Sequence, residues 1–542
     1  MTHLERERTL SAPAGWSMPA IDVTGARGET GDPLHLDALY YDTADLRLLA
    51  RGVTLRRRTG GEDAGWHLKL PAPGDAREEL RRPLDADAEP LPPVLGDPGD
   101  APAPPAELAG LVLGLTRAAP LVPVGRVRTE RTTTLLRATD DDAPLVEVAE
   151  DRVTAERIPP PGARERPTNA DPHAGGGTDA WREIEVELAP AGLEQDDPEA
   201  LLAAVVDALV TAGASAEPSR PKLARALGVD STPGPSAAAG DAAPDRAGAT
   251  TAGDVVTAYL AEQVDALVRW DPEVRRDTPD AVHKARVAAR RLRSALATFR
   301  PLLDREQTDP ARDELRWWGQ VLGEARDAEV ARDRVHAVLD RLPDELVVGP
   351  VRARVVDELD ARYREAHRTA VEQMSGRRYL DLLESLAALA AAPPLTGRAG
   401  DPATDVLPAL ARKTWKRTRR RARAAAGAEG ARRDDLLHDV RKAAKRARYA
   451  GESMAGAVGK DAARFARRLE DVQDALGDHH DAVALAHALR GLGMQANLSG
   501  ENGFSYGLLV GIERERADEA LAEYDDAWSR ARRRRHRRWT RT

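Results

Sequence analysis

The chain has 542 residues, of which 80 are Lys or Arg and 89 are Asp or Glu, and it contains no cysteine. This length exceeds what one hydrophobic core supports, so two or more domains are expected. The lack of cysteine excludes disulfides, thiol catalysis and thiolate metal sites. No run of about twenty apolar residues predicts a membrane span, and "MTHLERERTL" lacks the apolar stretch of a secretory signal, so we expect a cytoplasmic protein.

The first 229 residues show the two-residue alternation that is typical of β-strands. Apolar and polar residues alternate, with many Val, Thr and Leu, in segments 52–59, 66–70, 129–138, 144–157 and 181–188. Pro-rich stretches at 87–105 and 159–177 predict loops between them. The pattern therefore predicts an antiparallel β domain with some helix over 1–229.

Charged residues recur on one face of these predicted strands. Because side chains alternate along a strand, three sets each share a face: Glu5 with Glu7, Arg56 with Arg58, and Glu183 with Glu185 and Glu187. Carboxylates suit Mg²⁺ or Mn²⁺, while Arg and Lys suit phosphate oxygens. Alternation by itself, however, favours an ordinary sheet whose polar face meets water.

A series of short motifs resembles the CYTH family. The motifs are ERE at 5–7, YYDTADLRLLARGVTLRRRTG at 40–60, WHLKLP at 66–71, WREIEVEL at 181–188 and PSRPKLARALG at 218–228. The family is a triphosphate tunnel, an antiparallel barrel that binds triphosphate with basic residues and a divalent metal with glutamates. The resemblance implies that Mg²⁺ or Mn²⁺ is held by Glu5, Glu7, Asp151, Glu185 and Glu187. It implies that triphosphate is bound by Arg56, Arg58, Lys69, Arg131 and Lys222, with catalytic roles for Glu5, Glu7 and Lys69.

One position departs from the family signature E-x-E-x-K. Thr9 stands where the signature has lysine, a residue that in the family contacts phosphate or positions the water. The loss counts against metal-dependent hydrolysis more than against binding, so a non-catalytic tunnel stays open as an alternative. Adenylyl cyclase activity, known in some relatives of the tunnel fold, is a minor alternative, and no pocket for a nucleotide base is legible in the sequence.

Residues 230–251 are rich in Pro, Gly, Ala and Ser and predict a flexible linker. From 252 to 530 nearly every segment has the period of a helix. Two basic strips recur there at identical intervals, and we call them the first and second ladders: His283, Arg286, Arg290 and Arg293, then His438, Arg441, Lys445 and Arg448. Each ladder forms one stripe beside an Ala/Leu/Val face of its helix.

The repeat continues downstream, where VLGEARDAEV at 321–330 matches ALGDHHDAVA at 475–484. A third basic run places Arg412, Lys416, Arg419 and Arg423 at helical spacing. Segment 283–300 contains no Asp or Glu, and uncompensated like charge along a helix costs stability. The pattern therefore favours a bound polyanion over an ordinary solvated face, and we expect pseudo-twofold packing to bring both ladders to one surface.

The repeated H-x-x-R-x-x-x-[RK]-x-x-R helix, followed by LG and Asp, resembles the CHAD family over about 250–530. The resemblance implies two pseudo-symmetric four-helix bundles whose basic surface binds inorganic polyphosphate. The implied ligands are His283, Arg286, Arg290, Arg293, Arg412, Lys416, His438, Arg441, Lys445 and Arg448. Residues 531–542 form a basic tail. Aromatic residues are scarce in the strips, so nucleic acid is the less favoured partner.

The prediction is thus a two-domain protein, α+β and then all-α, that resembles a CYTH–CHAD fusion. It would handle inorganic polyphosphate or triphosphate in the cytoplasm, in association with polyphosphate granules. Nucleic-acid binding through the basic helices and the tail remains the alternative from a different class.

Overall fold

The structure is a computed structural model. It describes residues 2–5, 7–13, 15–21, 23, 25–72, 77–84, 102–140, 142–159, 179–216, 220–229 and 250–541, except for the side chains of 2–7, 431 and 541. The chain divides into two units, Met1–Ala242 and Ala243–Thr542. Most of the predicted linker and most of both predicted Pro-rich loops lie outside the described residues.

The described part of the first unit contains ten strands. They are β1 (Thr2–Glu5), β2 (Glu7–Ala12), β3 (Ala26–Thr30), β4 (Leu34–Asp42), β5 (Thr54–Thr59), β6 (Gly65–Pro71), β7 (Arg77–Arg82), β8 (Val122–Ala138), β9 (Pro144–Arg157) and β10 (Asp179–Leu188). All five segments predicted as strands from their alternation lie in this sheet, whereas β3, β4 and β7 were not predicted. The β domain is confirmed.

The strands form one antiparallel sheet in the order β1-β7-β6-β5-β4-β8-β9-β10-β2, and β3 pairs with β8. β1 ends at Glu5 and β2 begins at Glu7, so a single residue joins the two ends of the strand order. The sheet must therefore curl back on itself. Its outer apolar residues, such as Val148, Ile184 and Val186, pack against short helices, which leaves the charged alternate residues for the inner face.

The described part of the first unit also contains five short helices: α1 (Ala106–Leu111), α2 (Leu113–Thr116), α3 (Pro190–Leu193), α4 (Pro198–Thr211) and α5 (Lys222–Leu227). α5 matters most for the site. Leu223 and Leu227 anchor it in a cluster with residues of β4, β8 and β9, and Gly125 of β8 leaves only 3.2 Å between a built Cβ and Leu223. This close packing fixes Lys222 at the first turn of α5.

The second unit is helical, as predicted. Its helices are α6 (Ala252–Arg269), α7 (Asp271–Arg275), α8 (Ala281–Thr298), α9 (Arg305–Leu339), α10 (Val351–Met374), α11 (Arg377–Ala391), α12 (Ala403–Ala425), α13 (Gly430–Val458), α14 (Lys460–Leu498) and α15 (Phe504–Ala531). Among the residues described, no helix is both long and apolar enough to cross a bilayer.

Two halves of this unit repeat each other. α8 and α9 carry the first ladder and its LG motif, and α13 and α14 carry the second. The starts of α6 and α12 exchange backbone hydrogen bonds: the Ala252 N–H donates to the Asp401 carbonyl at 2.9 Å, and the Ala403 N–H donates to the Thr250 carbonyl at 3.1 Å. This reciprocal pair is what a pseudo-twofold relation between the halves requires.

Candidate functional site

Charged side chains line the inner face of the curled sheet, which we call the lumen. On β5, β6 and β7 the register places Arg56 opposite His67 and Lys69 opposite Glu79. Arg58 is 6% exposed and Glu79 is fully buried. Such burial is costly for charged groups unless they meet each other or a ligand, so the contacts on this wall decide what it can bind.

Glu79 is the hub of this basic wall. Its Oε1 lies 2.9 Å from His67 Nδ1, 3.7 Å from Arg56 and 3.8 Å from Lys69. Burial acts to raise the pKa of Glu79, but the hydrogen bond with His67 and the charges of Lys69 and Arg56 hold it well below its ordinary value. One carboxylate thus serves several cations, and the wall keeps an excess of positive charge.

Arg58 shows this excess most clearly. Burial, and then the like charges of Arg56 and Arg131, lower the pKa of its guanidinium to about 9. Asp63 forms an ion pair with Arg58, yet the Nε atoms of Arg56 and Arg58 are buried and have no hydrogen-bond partner among the described residues. Buried cations with unused donors form a site that an anion would stabilise.

The opposite wall carries a cluster of carboxylates. Oxygen atoms of Asp151 on β9 and of Glu183 and Glu185 on β10 lie within 4.8 Å of one another. The strand register explains the cluster, because Glu183 pairs with Asp151 across the ladder and Glu185 shares its face. Hard oxygen donors in this number suit Mg²⁺ or Mn²⁺.

Two cations lie on these carboxylates. Lys222 Nζ is 2.5 Å from Asp151, 3.0 Å from Glu183 and 2.8 Å from Glu185. Arg131 binds Asp151 in a bidentate manner, with both contacts at 2.7 Å, and also contacts Glu185. Although burial opposes it, these opposite charges raise the pKa of Lys222. A divalent cation bound here would have to share the carboxylate oxygens with the ammonium group of Lys222.

In the helical unit, each ladder packs against a glycine of the following helix. The Arg286 guanidinium lies over Gly323 of α9, and the Arg441 guanidinium lies over Gly477 of α14. Arg286 Nη1 also donates to Asp327 at 2.9 Å. The repeated LG motif therefore has a physical role, since a Cβ at Gly323 or Gly477 would lie only 3.3 or 3.1 Å from the guanidinium and would displace it.

The two ladders converge on one surface. Arg290 Nε of α8 donates to the Tyr449 hydroxyl of α13 at 2.7 Å. Burial lowers the pKa of Lys445 strongly, and the charges of Arg290 and Arg441 lower it further. The same effects, burial first and then Arg290 among the neighbours, lower the pKa of Arg441. Positive charge from both repeats is thus concentrated in one place.

The sequence profile of the CYTH domain matches residues 14–226, and that of the CHAD domain matches residues 258–490. Two Mycobacterium tuberculosis proteins, MT2285 and Rv2226, are each 37% identical to this chain over 541 residues, which is 98% of this chain and 98% of theirs. The chain belongs to the CYTH–CHAD family. Both domains indicate a ligand of the triphosphate or polyphosphate type.

Solved structures with similarity to this chain cover about half of it. PptA from Streptomyces chartreusis is 26% identical and covers 52% of this chain and 100% of its own length, with a TM-score of 0.44. The CHAD domain from the plant Ricinus communis is 23% identical and covers 51% of this chain and 92% of its own length, with a TM-score of 0.41.

In the CYTH domain, two of the residues predicted to hold a metal, Asp151 and Glu185, belong to the carboxylate cluster. Glu5 pairs in register with Arg77, and Glu7 pairs with Glu187, but the side chains of Glu5 and Glu7 are outside the described residues. Glu187 is half-buried on β10 and is not among the three clustered carboxylates. Thr9 pairs with Glu185, so a lysine at position 9 would lie beside that carboxylate.

The predicted phosphate ligands of the CYTH domain divide between the two walls. Arg56, Arg58 and Lys69 lie on the basic wall, whereas Arg131 and Lys222 contact carboxylates. Glu185 interacts electrostatically with both Lys69 and Arg56, so the two walls face one lumen. Sequence reasoning missed Glu79 and His67 and did not assign Glu183 a metal role, although its parity with Glu185 was visible.

In the CHAD domain, the two histidines occupy equivalent environments. Burial, and then the charge of Arg326, lowers the pKa of His283 to about 4. Burial, and then His480, lowers the pKa of His438 to about 4. His438 stacks on His480 with ring centroids 4.4 Å apart, and positions 326 and 480 match in the repeat. Both rings are therefore neutral near pH 7 and flank the basic surface.

The remaining predicted ligands of the CHAD domain behave differently from one another. Arg448 forms ion pairs with Glu452 at 2.5 Å and with Glu470 at 2.6 Å. Burial, and then the charge of Arg316, lowers the pKa of Arg293. Arg293 therefore lies close to other cations and belongs to the cationic surface. Arg412 and Lys416 are exposed on α12. Cations that sequence reasoning did not single out, namely Arg316, Arg417 and Arg446, extend this surface.

Proposed function

We propose that the CYTH domain hydrolyses inorganic triphosphate or polyphosphate with the help of Mg²⁺ or Mn²⁺, and that the CHAD domain binds polyphosphate. One observation carries the catalytic half of this proposal. Arg56 and Arg58, each with a buried Nε donor that has no partner among the described residues, face the same lumen as the carboxylates of Asp151, Glu183 and Glu185. A phosphate-binding wall beside a metal-binding wall is what a metal-dependent phosphoanhydride hydrolase needs.

Residues on the two walls of the lumen would have different roles. Asp151, Glu183 and Glu185 would hold the divalent ion, which when bound polarises a phosphoryl oxygen and makes water more acidic. Arg56 and Arg58 would bind the phosphate oxygens, as charge-assisted donors do in phosphoryl transfer. We also propose catalytic roles for Glu5 and Glu7, as the family resemblance implies, and for Lys69, which lies on the basic wall.

The second candidate is a tunnel that binds without turnover. Lys222 contacts all three clustered carboxylates, so it competes with a metal for their oxygens. Thr9, opposite Glu185, removes a lysine that the family signature has. In this reading the protein captures polyphosphate through its CHAD domain, and the tunnel holds a chain end without cleaving it.

Phosphate release from tripolyphosphate, measured on the whole chain with Mg²⁺ and with Mn²⁺, separates the two candidates. Glu185→Gln removes one charge from the cluster, and Glu156→Gln, at an exposed position of β9, is the matched control. Hydrolysis predicts release that is lost with Glu185→Gln and kept with Glu156→Gln. No release from a protein that still binds polyphosphate would establish the non-catalytic candidate, and release that survives Glu185→Gln would contradict the assigned metal site.

Polyphosphate binding by the CHAD domain rests on the convergence of the ladders. Its affinity should fall steeply as salt rises, as with other linear polyanions. Arg286→Gln/Arg441→Gln should weaken binding, while Arg362→Gln/Arg514→Gln, at exposed positions of α10 and α15, should not. Competition by DNA at least equal to that by polyphosphate would instead favour nucleic-acid binding. Association with polyphosphate granules in the cytoplasm follows from this proposal.

A further inference from the structure

Helix α12 carries a dense run of basic residues that belongs to neither ladder. Seven of its basic residues are exposed and have no carboxylate partner among the described residues: Arg412, Lys413, Lys416, Arg417, Arg419, Arg420 and Arg423. An ordinary solvated helix places acidic residues three or four positions away from its basic ones. From 406 to 428 the sequence offers no Asp or Glu at all, so the charge on α12 lacks a partner of the usual kind.

The exposed charges on α12 reach from the tail to the second ladder. At about 100° per residue, Arg419 and Arg412 lie about 40° and 60° around the helix from Trp415, and Arg417 lies about 200° from it. Trp415 marks the tail side, because the Arg537 guanidinium lies 4.6 Å from its ring centroid. Arg417 marks the ladder side, because its neighbour on that side, Arg421, forms an ion pair with Asp439 of α13 at 3.0 Å, and because the charge of Arg417 acts on Arg446 of α13.

The basic tail is fixed in place and continues this surface. Arg534–Arg541 forms a 3₁₀ turn, and Trp539 is buried with its ring 5.6 Å from that of Phe465. Arg533, Arg534, Arg535 and Arg538 are exposed, and none has a carboxylate partner among the described residues. Positive charge is concentrated around the tail, since burial and then the charges of Arg535 and Arg468 lower the pKa of His536.

We propose that the ladders, α12 and the tail form one continuous track that a single long polyphosphate chain occupies, so that affinity rises with chain length. This inference rests on the proposed binding of polyphosphate by the CHAD domain. The basic residues of α12, from Arg412 to Arg423, extend about 16 Å along the helix at 1.5 Å per residue. The tail and α13 lie on different sides of α12, so a short chain cannot contact all three. Linked contacts raise affinity without any new kind of interaction.

Polyphosphate fits the track better than single-stranded nucleic acid does. Binding to single strands normally stacks bases on exposed aromatic rings. The aromatic residues beside the track, Trp415 and Trp539, are only 3% and 8% exposed, because they anchor α12 and the tail to the core. The surface therefore offers charge without stacking platforms.

The test uses the whole chain with four tail substitutions, Arg533→Gln/Arg534→Gln/Arg535→Gln/Arg538→Gln. Binding of a short-chain and a long-chain polyphosphate is measured by calorimetry at fixed salt, with EDTA present to prevent metal-dependent hydrolysis. We expect about tenfold weaker binding of the long chain and unchanged binding of the short chain. The control, Arg362→Gln/Arg364→Gln/Arg514→Gln/Arg516→Gln, removes four exposed arginines from α10 and α15 and should alter neither.

The other outcomes are distinct. An equal loss for both chain lengths would overturn the track and make the tail an independent local site. Unchanged binding of the long chain would also overturn it. If the unsubstituted protein binds neither chain, the proposed function of the CHAD domain fails together with the track. If DNA displaces the long chain as well as polyphosphate itself does, the choice of polyphosphate is overturned.

Discussion

Replacing two helix glycines with alanine should weaken polyphosphate binding and leave stability level or higher. A Cβ built on Gly323 lies 3.3 Å from Arg286 Nη2, and one built on Gly477 lies 3.1 Å from Arg441 Nη2. Both distances are shorter than ordinary van der Waals contact, so alanine would displace each guanidinium by a few tenths of an ångström. The double substitution Gly323→Ala/Gly477→Ala therefore disturbs the same position in both ladders.

The expected magnitudes follow from helix propensity and from hydrogen bonding. Alanine in a helix interior is more stable than glycine by about 1 kcal/mol, and displacing the flexible end of an arginine offsets only part of this gain. We expect the free energy of unfolding to stay level or to rise by up to about 1 kcal/mol per site. A charge-assisted bond to phosphate contributes about 1.5–3 kcal/mol, so its partial loss should weaken polyphosphate binding about tenfold.

Chemical denaturation and calorimetric titration with polyphosphate measure the two effects. The matched control is Gly319→Ala/Gly491→Ala, one substitution in α9 and one in α14, where a built Cβ meets nothing within 4 Å. This control should gain stability and keep its affinity. Equal affinity of the control and of Gly323→Ala/Gly477→Ala would refute the idea that these glycines position the two arginines for the ligand.

Three further predictions concern charged groups. Lys222→Met leaves three clustered carboxylates with less positive charge beside them, although Arg131 still contacts two of them, and should cost about 3 kcal/mol. In calorimetry, Mn²⁺ should stabilise this variant more than the unsubstituted chain, and equal effects would contradict metal binding at these oxygens. The pKa values of His283 and His438 are lowered from 6.5 to about 4, so between these pH values the unfolded chain binds more protons than the native chain. The free energy of unfolding should therefore fall as the pH drops from 6.5 to 4. The denaturation midpoint of His283→Gln/His438→Gln should depend less on pH than that of the unsubstituted chain. Arg58→Gln should weaken triphosphate binding about tenfold in equilibrium titrations with little loss of stability, because like charges crowd this arginine; unchanged affinity would remove Arg58 from the phosphate site.

Strand alternation predicted the walls of the lumen only where apolar residues accompany the charged ones. WREIEVEL has such alternation, and β10 indeed carries Glu183 and Glu185 on one face. β7 has the sequence REELRR, in which Leu80 alone is apolar, so no period is visible and Glu79 could not be found. Its role depends on pairing with β6, which is information that the local sequence does not contain.

Helical period and repetition predicted the ladders and their convergence, but not which cations stay available. Arg448 has the same spacing as the other ladder residues, yet Glu452 and Glu470 neutralise it. Glu452 lies one turn away and could have been suspected, whereas Glu470 comes from the neighbouring helix α14. Arg446 lies outside the ladder spacing and nevertheless joins the cationic surface through Arg417 and Arg293.

Both domains contain cations in excess of the carboxylates that face them, and this excess links stability to ligand binding. In the CYTH domain, burial and like charges depress the pKa of Arg58, and in the CHAD domain they depress that of Lys445. A polyanion that binds the native state removes these repulsions and stabilises it by mass action. The net negative charge of the whole chain does not oppose this, because the charges that act on a ligand are those arranged in the lumen and along the ladders.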